Sequence, residues 1–352
     1  MYLALALLAF FPLTAFSKPA PDALSHYQVE GLSRSSMDSI ARDYEIIGRK
    51  GDRFDVLVAP SKAARFKKIA PKAKLLIADI HEELRKTENT WGPGYHDIAS
   101  VKADLERLAK ENPFLVRVER YGYSKDGRDL FALKLTDNPD TNEGEPQVLL
   151  TAATHGNEII TVEVIFGLIE KLTAGYGKDA RLTKLVDGLE IYFIPVVNPD
   201  GYSARSRYSN GIDPNRDYPE PGARAHDSNP CIANLIKFFN KHDFKGSIDF
   251  HSYGELIMFP WAYTRSRVSS SALKEFEAVT DAMANTNGYQ NGQISNILYP
   301  APGSSADYYF DAKKTIALGI EIGSSHTPSA SAIPQAVKSQ TESTWLFLEN
   351  FL

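Results

Sequence analysis

Residues 147–158 read QVLLTAATHGNE, and this stretch decides the fold. Gln147 to Thr154 is a short, strongly apolar run, with the length and composition of a strand buried on both faces. It breaks at His155-Gly156-Asn157-Glu158, a polar turn that carries an imidazole and a carboxylate three residues apart. Thr161 to Leu172 then returns apolar residues at helical spacing, which predicts an amphipathic helix. Open α/β sheets place their ligands at the carboxyl ends of strands. His155 and Glu158 stand at such an end and can converge on one ion. Imidazole and carboxylate both suit zinc, and a catalytic zinc site needs three protein ligands plus an open position. A third ligand must come from elsewhere in the chain.

The alternation continues on both sides of this stretch. Upstream, Asp97 caps a helix with Val101, Leu105 and Leu108 on one face, and Asn112-Pro113 stops it. Leu115 to Tyr121 and Leu130 to Leu135 predict strands, with Lys125-Asp126-Gly127 as a turn between them. Downstream, strands are expected at Leu189 to Val197, Gly246 to His251, Leu256 to Phe259 and Thr315 to Ile322. Helices are expected at Ile232 to Lys241, Ser270 to Asn287 and Ile333 to Phe351. This order predicts a mixed α/β sheet with helices on both faces.

Residues 26–78 read differently, as six short elements in the order β-α-β-β-α-β: the split βαβ, ferredoxin-like arrangement of a small α+β domain. Residues 18–86 carry an excess of basic groups and the remainder an excess of acidic ones, which favours docking of one part on the other. Residues 87–94 break all periodicity and follow Arg85-Lys86, as expected of a linker with a protease site. The large domain then spans 95–352.

The first 17 residues, MYLALALLAFFPLTAFS, contain no charge. The apolar run Leu3 to Phe16 is short for a bilayer span and ends at a small-x-small sequence, Ala15-Phe16-Ser17. It predicts a signal peptide and a secreted or periplasmic protein. No later segment is long and apolar enough for a membrane span. The 352 residues are 43% hydrophobic and 24% charged, an ordinary globular composition. A net charge of -5 gives no basic footprint for nucleic acid. Cys231 is the only cysteine, so no intramolecular disulfide forms.

Of the eight histidines, His251 is placed best for the third ligand, because it ends an apolar strand. Residues 198–218 are dense in polar groups: Asn198-Pro199-Asp200-Gly201, Arg205, Arg207, Asp213, Asn215 and Arg216. Arginine presents a planar fork that grips a carboxylate and can polarise a carbonyl. Glu321 interrupts the apolar run Ala-Leu-Gly-Ile-Glu-Ile-Gly, where a carboxylate is costly unless paired or functional.

Taken in order, His-Gly-Asn-Glu, Asn-Pro-Asp-Gly, Arg-x-x-x-Gly-Ile-Asp-x-Asn-Arg, His-Ser-Tyr and the strand glutamate resemble the zinc metallocarboxypeptidases of the carboxypeptidase A type. The likeness runs from Tyr95 to the C-terminus and includes Tyr95-His96 and the Gly122-x-Ser124-x-x-Gly127-Arg128 hairpin. It implies a mixed sheet of the eight-stranded type, one zinc ion per chain and a monomer. Residues 18–86 resemble the pro-domain that covers the cleft of such enzymes until an activating protease removes it. By this resemblance His155, Glu158 and His251 match the zinc ligands, Glu321 the general base, and Arg207 the group that polarises the scissile carbonyl. Arg205 is an alternative for that last role, because the loop is short. Asn215 and Arg216 match the groups that bind the terminal carboxylate, and Tyr299 the mobile tyrosine that closes over the substrate. Asp213 matches the carboxylate behind a zinc histidine. The Ser252–Tyr253 bond is expected to be cis, and Tyr253 to contact substrate. Ala306 and Ala262, with Ser304 near them, fall at walls of the side-chain pocket, and none is acidic. Apolar C-terminal residues are therefore expected to be preferred. Asn157 stands where digestive members carry arginine.

The function implied is a zinc exopeptidase acting on peptide or protein C-termini and made as a proenzyme. Three rivals differ from it: an enzyme that trims peptidoglycan peptides, an aminoacylase-like member of the wider fold, and a catalytically inactive binding module. The Tyr299 match and the pro-segment argue against the second, and retention of every ligand and Glu321 against the third.

Overall fold

The computed structural model describes residues 24–80, 94–221, 228–325 and 328–352. The stretch read as a signal peptide, Arg85-Lys86 and nearly all of the expected linker lie outside the described residues.

The small domain runs β1 (Ser25–Val29), α1 (Arg34–Asp43), β2 (Glu45–Lys50), β3 (Arg53–Val58), α2 (Ala63–Ile69) and β4 (Lys74–Ile77). Its strands pair antiparallel in the order β2-β3-β1-β4, as a βαββαβ chain requires. Ser33 caps α1 through the Ser36 N–H, and Ile40 and Phe66 bury the two helices on the sheet. β2 lies at one edge, where its backbone is free to meet another surface.

The large domain begins with α3 (Ile98–Glu111), where Asp97 and Ser100 form a reciprocal capping box. β5 (Val116–Tyr123), β6 (Asp129–Leu135), β7 (Gln147–Ala152), α4 (Ile160–Gly175), α5 (Ala180–Gly188) and β8 (Glu190–Ile194) follow. After them come α6 (Pro199–Ser203), α7 (Pro230–Lys241), β9 (Phe244–His251), β10 (Leu256–Phe259), α8 (Ser270–Asn287) and β11 (Gln290–Gln293). α9 (Ile294–Ile297), α10 (Ser305–Lys313), β12 (Ile316–Glu321) and α11 (Ile333–Glu349) complete it.

The eight strands form one mixed sheet, ordered β11-β10-β12-β9-β7-β8-β6-β5. Its centre, β12-β9-β7-β8, is parallel, and the joins at β10-β12, β8-β6 and β6-β5 are antiparallel. Val148 and Leu150 point to one core cluster and Leu149 to another, all three fully buried, as a strand covered on both faces requires. Each such side chain stabilises the fold by about 1.5–3 kcal/mol. α4 departs from its amphipathic reading: ten of its residues are buried, including both ends of its first turn. It is covered by the sheet and by α11, and Gly167 lets Val337 approach so closely that a Cβ would lie 2.7 Å from it.

Five elements were not expected from the sequence: α5, α6, β11, α9 and α10. β11 reads Gln-Asn-Gly-Gln and is a strand only because it pairs in parallel with β10.

This topology sets three side chains at one edge. His155 lies just beyond β7, His251 ends β9, and Glu321 ends β12 directly beside His251 in the pairing register.

Candidate active site and metal centre

The turn after β7 is held on both sides. Ala153 donates its N–H to the Thr161 hydroxyl, and that hydroxyl donates to the Glu158 carbonyl at 2.6 Å. Gly156 packs against α6 so tightly that a Cβ would lie 2.1 Å from the Gly201 carbonyl carbon. The turn then presents His155 and Glu158 to His251. His155 Nδ1 is 2.8 Å from one Glu158 oxygen, and His251 Nδ1 is 3.0 Å from the other. The two Nδ1 atoms are 3.1 Å apart. All three residues are at most 4% exposed.

These donors fit a zinc ion. Ligands about 2.0 Å from a tetrahedral metal stand about 3.3 Å from one another, close to the separations found here. Each histidine also has a carboxylate behind it. His155 Nε2 is 3.1 Å from Asp213, and His251 Nε2 is 3.1 Å from Asp249. A proton held on Nε2 leaves the Nδ1 lone pair aimed at the centre. Asp249 is in turn held by the hydroxyls of Thr151, Thr154 and Ser305, each at 2.9 Å. Sequence reading missed Asp249. Its position two residues before His251 puts both on one side of β9, and that alternation was the available signal. Burial opposes ionisation of Glu158, yet His155 and His251 hold its carboxyl well below the usual range.

Glu321 differs. Burial, and then the Glu158 charge, push its carboxyl up to about 8. Its Oε2 is buried without a protein hydrogen-bond partner. Arg207 lines the same cavity and is 9% exposed. Its Nε donates to Asp213 at 3.0 Å and its Nη1 stands 3.6 Å from Glu158. Burial disfavours its charge, but Asp213, Glu45 and Glu158 over-compensate. Arg205 is not among the residues that line this cavity; its charge acts on Tyr95 and Tyr202.

Asn215, Arg216, Tyr299, Ala262, Ser304 and Ala306 line the remainder of this cavity. The Asn215 side-chain oxygen accepts the Ser305 N–H at 2.9 Å, which ties the carboxylate-binding candidates to the pocket wall. Gly303, at φ +80°, lies against the Arg216 backbone, where a Cβ would come within 2.4 Å of the carbonyl oxygen. Only glycine fits there. Asp307 is turned away from the pocket: its two oxygens accept the Ala262 and Tyr263 N–H groups at 2.7 and 2.8 Å. The Ser252–Tyr253 bond is cis, and so is Pro260–Trp261, which was not expected.

The small domain reaches this site through β2. Glu45 accepts a hydrogen bond from Tyr208 and stands 3.9 Å from Arg207. The Arg49 N–H points at the Tyr253 carbonyl, 3.4 Å away. Asp38 pairs with Arg265 through both oxygens, at 2.7 and 2.9 Å.

A family model described as zinc carboxypeptidase matches residues 101–343, which carry every one of these catalytic-domain side chains. The chain belongs to the zinc carboxypeptidase family. It is a zinc-dependent metallocarboxypeptidase, a hydrolase acting on peptide C-termini, with one zinc site. It is 28% identical to a zinc carboxypeptidase of Saccharothrix mutabilis subsp. capreolus, over 82% of this chain and 79% of the relative. It is 27% identical to carboxypeptidase A2 of Mus musculus, over 76% of this chain and 72% of the relative. In fold it is similar to the carboxypeptidase A of Helicoverpa armigera, with a TM-score of 0.80, 20% identity, and 92% and 96% of the two chains covered. That share extends beyond the large domain into the small one. No helix among the described residues is long and apolar enough to cross a membrane.

Proposed function

We propose that this carboxypeptidase is exported as a proenzyme, blocked by residues 18–86, and that after cleavage in the linker it prefers apolar C-terminal residues. The observation that carries this reading is one cavity. It joins the metal-ligand cluster, Glu321 and Arg216 to walls made of Ala262, Ala306 and Ile294, with Asp307 occupied by backbone N–H groups.

His155, Glu158 and His251 would hold a zinc ion, whose Lewis acidity would activate a water molecule and polarise the scissile carbonyl. Glu321 takes a proton from the attacking water and returns it to the leaving amine. Arg207 donates to the carbonyl oxygen as negative charge develops. Asn215 and Arg216 hold the terminal carboxylate, Tyr299 closes over it, and Tyr253 borders the upstream part of the groove. A lysine or arginine side chain in the pocket would be buried without a partner.

The test is a matched pair of peptides, one with a free C-terminus and one amidated, given to the protein cut in the linker. Release of the last residue from the free form alone, abolished by a chelator and restored by zinc, is expected. Equal cleavage of the amidated peptide would overturn the exopeptidase assignment of Asn215 and Arg216. Full activity without cutting would overturn the proenzyme reading.

A further inference from the structure

His96 stands outside the cavity, just ahead of α3, and carries an unusual set of bonds. Its Nδ1 is 2.8 Å from Glu163 and its Nε2 is 2.7 Å from Asp104. A neutral imidazole donates from one nitrogen only, so these two acceptors together call for the imidazolium. Burial opposes that charge, but Glu163 and Asp104 raise the ring above the ordinary histidine range. The ring stacks on Phe166 at 4.3 Å. Its backbone N–H donates to the other Glu163 oxygen at 2.7 Å, and its carbonyl accepts the Tyr202 hydroxyl at 2.6 Å.

The partners give these bonds a direction. Glu163, 5% exposed, lies in the first turn of α4, the helix that follows Glu158. That helix has no N-cap side-chain bond; the Thr161 hydroxyl in its first turn ties it to the ligand turn, and His96 adds a contact from outside. Tyr202 lies on α6, next to Gly201, the residue against which Gly156 packs. The turn His155–Glu158 is therefore flanked by two elements, and His96 bonds to both.

We propose that His96 is a positioning residue for the metal-ligand turn: through Glu163 and Tyr202 it fixes the entry of α4 and the seat of α6, and so aims His155 and Glu158. This rests on the reading of His155, Glu158 and His251 as the zinc ligands. A neutral replacement removes the charge that His96 sets against the buried Glu163 and loosens the first turn of α4. Groups bonded directly to metal ligands typically change metal affinity 10–100-fold when removed, and His96, one contact further out, is assigned the low end of that range.

The experiment follows zinc transfer from the full chain to a chromogenic chelator, for wild type, His96→Gln, His96→Arg and Arg181→Ala. Arg181 pairs with Glu342 and Glu349, away from the turn, and reports loss of stability alone. His96→Gln is expected to release zinc about tenfold faster than wild type. His96→Arg keeps a planar cation with several donors and is expected to stay within about threefold. Arg181→Ala should match wild type. In linker-cut protein, His96→Gln should lower kcat while KM stays within about twofold. Wild-type release from His96→Gln, or release from Arg181→Ala as fast as from His96→Gln, overturns the proposal. If His96→Gln does not accumulate, Tyr202→Phe is measured instead: severalfold faster release supports the proposal and an unchanged rate overturns it. A wild-type chain that takes up no zinc overturns the ligand assignment itself, a result separate from any difference among variants.

Discussion

Tyr208 donates a 2.6 Å hydrogen bond to Glu45, so a side chain of the small domain's edge strand is held beside Arg207. Burial, and then the Glu45 charge, push the Tyr208 phenol well above its usual range, which keeps it a donor. The same strand sets its Gly48 backbone on the ring of Tyr253, where a Cβ would lie 2.2 Å from Cε1.

Gly48→Val should loosen this seat. Overpacking of a tight contact costs about 1–3 kcal/mol, and 1.4 kcal/mol corresponds to about tenfold. The uncut Gly48→Val chain should therefore show about tenfold higher kcat/KM than uncut wild type, with the cut forms equal. Equal activity of the two uncut chains would mean that β2 does not control access to the groove.

Glu321→Gln should keep its zinc and lose activity by about 10²–10⁴-fold, the usual worth of a positioned general base. The carboxamide cannot accept the proton, and no metal ligand changes. Metal analysis beside single-turnover kinetics checks both halves. Near-normal turnover would place the base on another residue.

Ala306→Asp should reverse the terminal preference. Wild type is expected to release Phe and Leu faster than Lys and Arg, because apolar groups gain about 25 cal/mol per Å² on burial and an unpaired cation does not. An aspartate at the pocket wall supplies the missing partner. The comparison is kcat/KM for peptides that differ only in the last residue. Faster release of Lys or Arg by wild type would reveal an acidic group reaching the pocket from outside its walls.

His242 should make the fold acid-sensitive. Its ring sits among Phe238, Tyr192 and Phe244 at 4.5, 4.7 and 5.1 Å, and burial lowers its pKa to about 4. The unfolded chain takes up this proton near the model-peptide value of about 6.5. The stability it confers is therefore complete above about pH 6.5 and is lost as pH falls toward 4. His242→Phe does not titrate, so its urea midpoint relative to wild type should rise between pH 7 and pH 4.5. A constant difference across that range would show that His242 titrates alike in the folded and unfolded chains.

Much of this molecule was legible from residue order alone, because local physics decides it. The apolar run Gln147 to Thr154 can only be a covered strand, and the polar turn after it can only lie at that strand's end. Asp97 with Ser100 is a helix start wherever the chain goes. The βαββαβ order of the small domain follows from alternating short patterns. Other features depend on neighbours distant in sequence. His251 meets His155 because β7 and β9 are adjacent and parallel, with Thr151 opposite Asp249. Arg207 rather than Arg205 lines the cavity, and Arg205 takes a left-handed φ of +50°, a backbone choice no side-chain pattern announces. β11 and α10 have weak local preference and exist through pairing and burial against β10 and β12. Hydrogen bonding and capping act over a few residues, so sequence specifies them. Convergence of charges on one ion needs the sheet order, which only the packed chain decides.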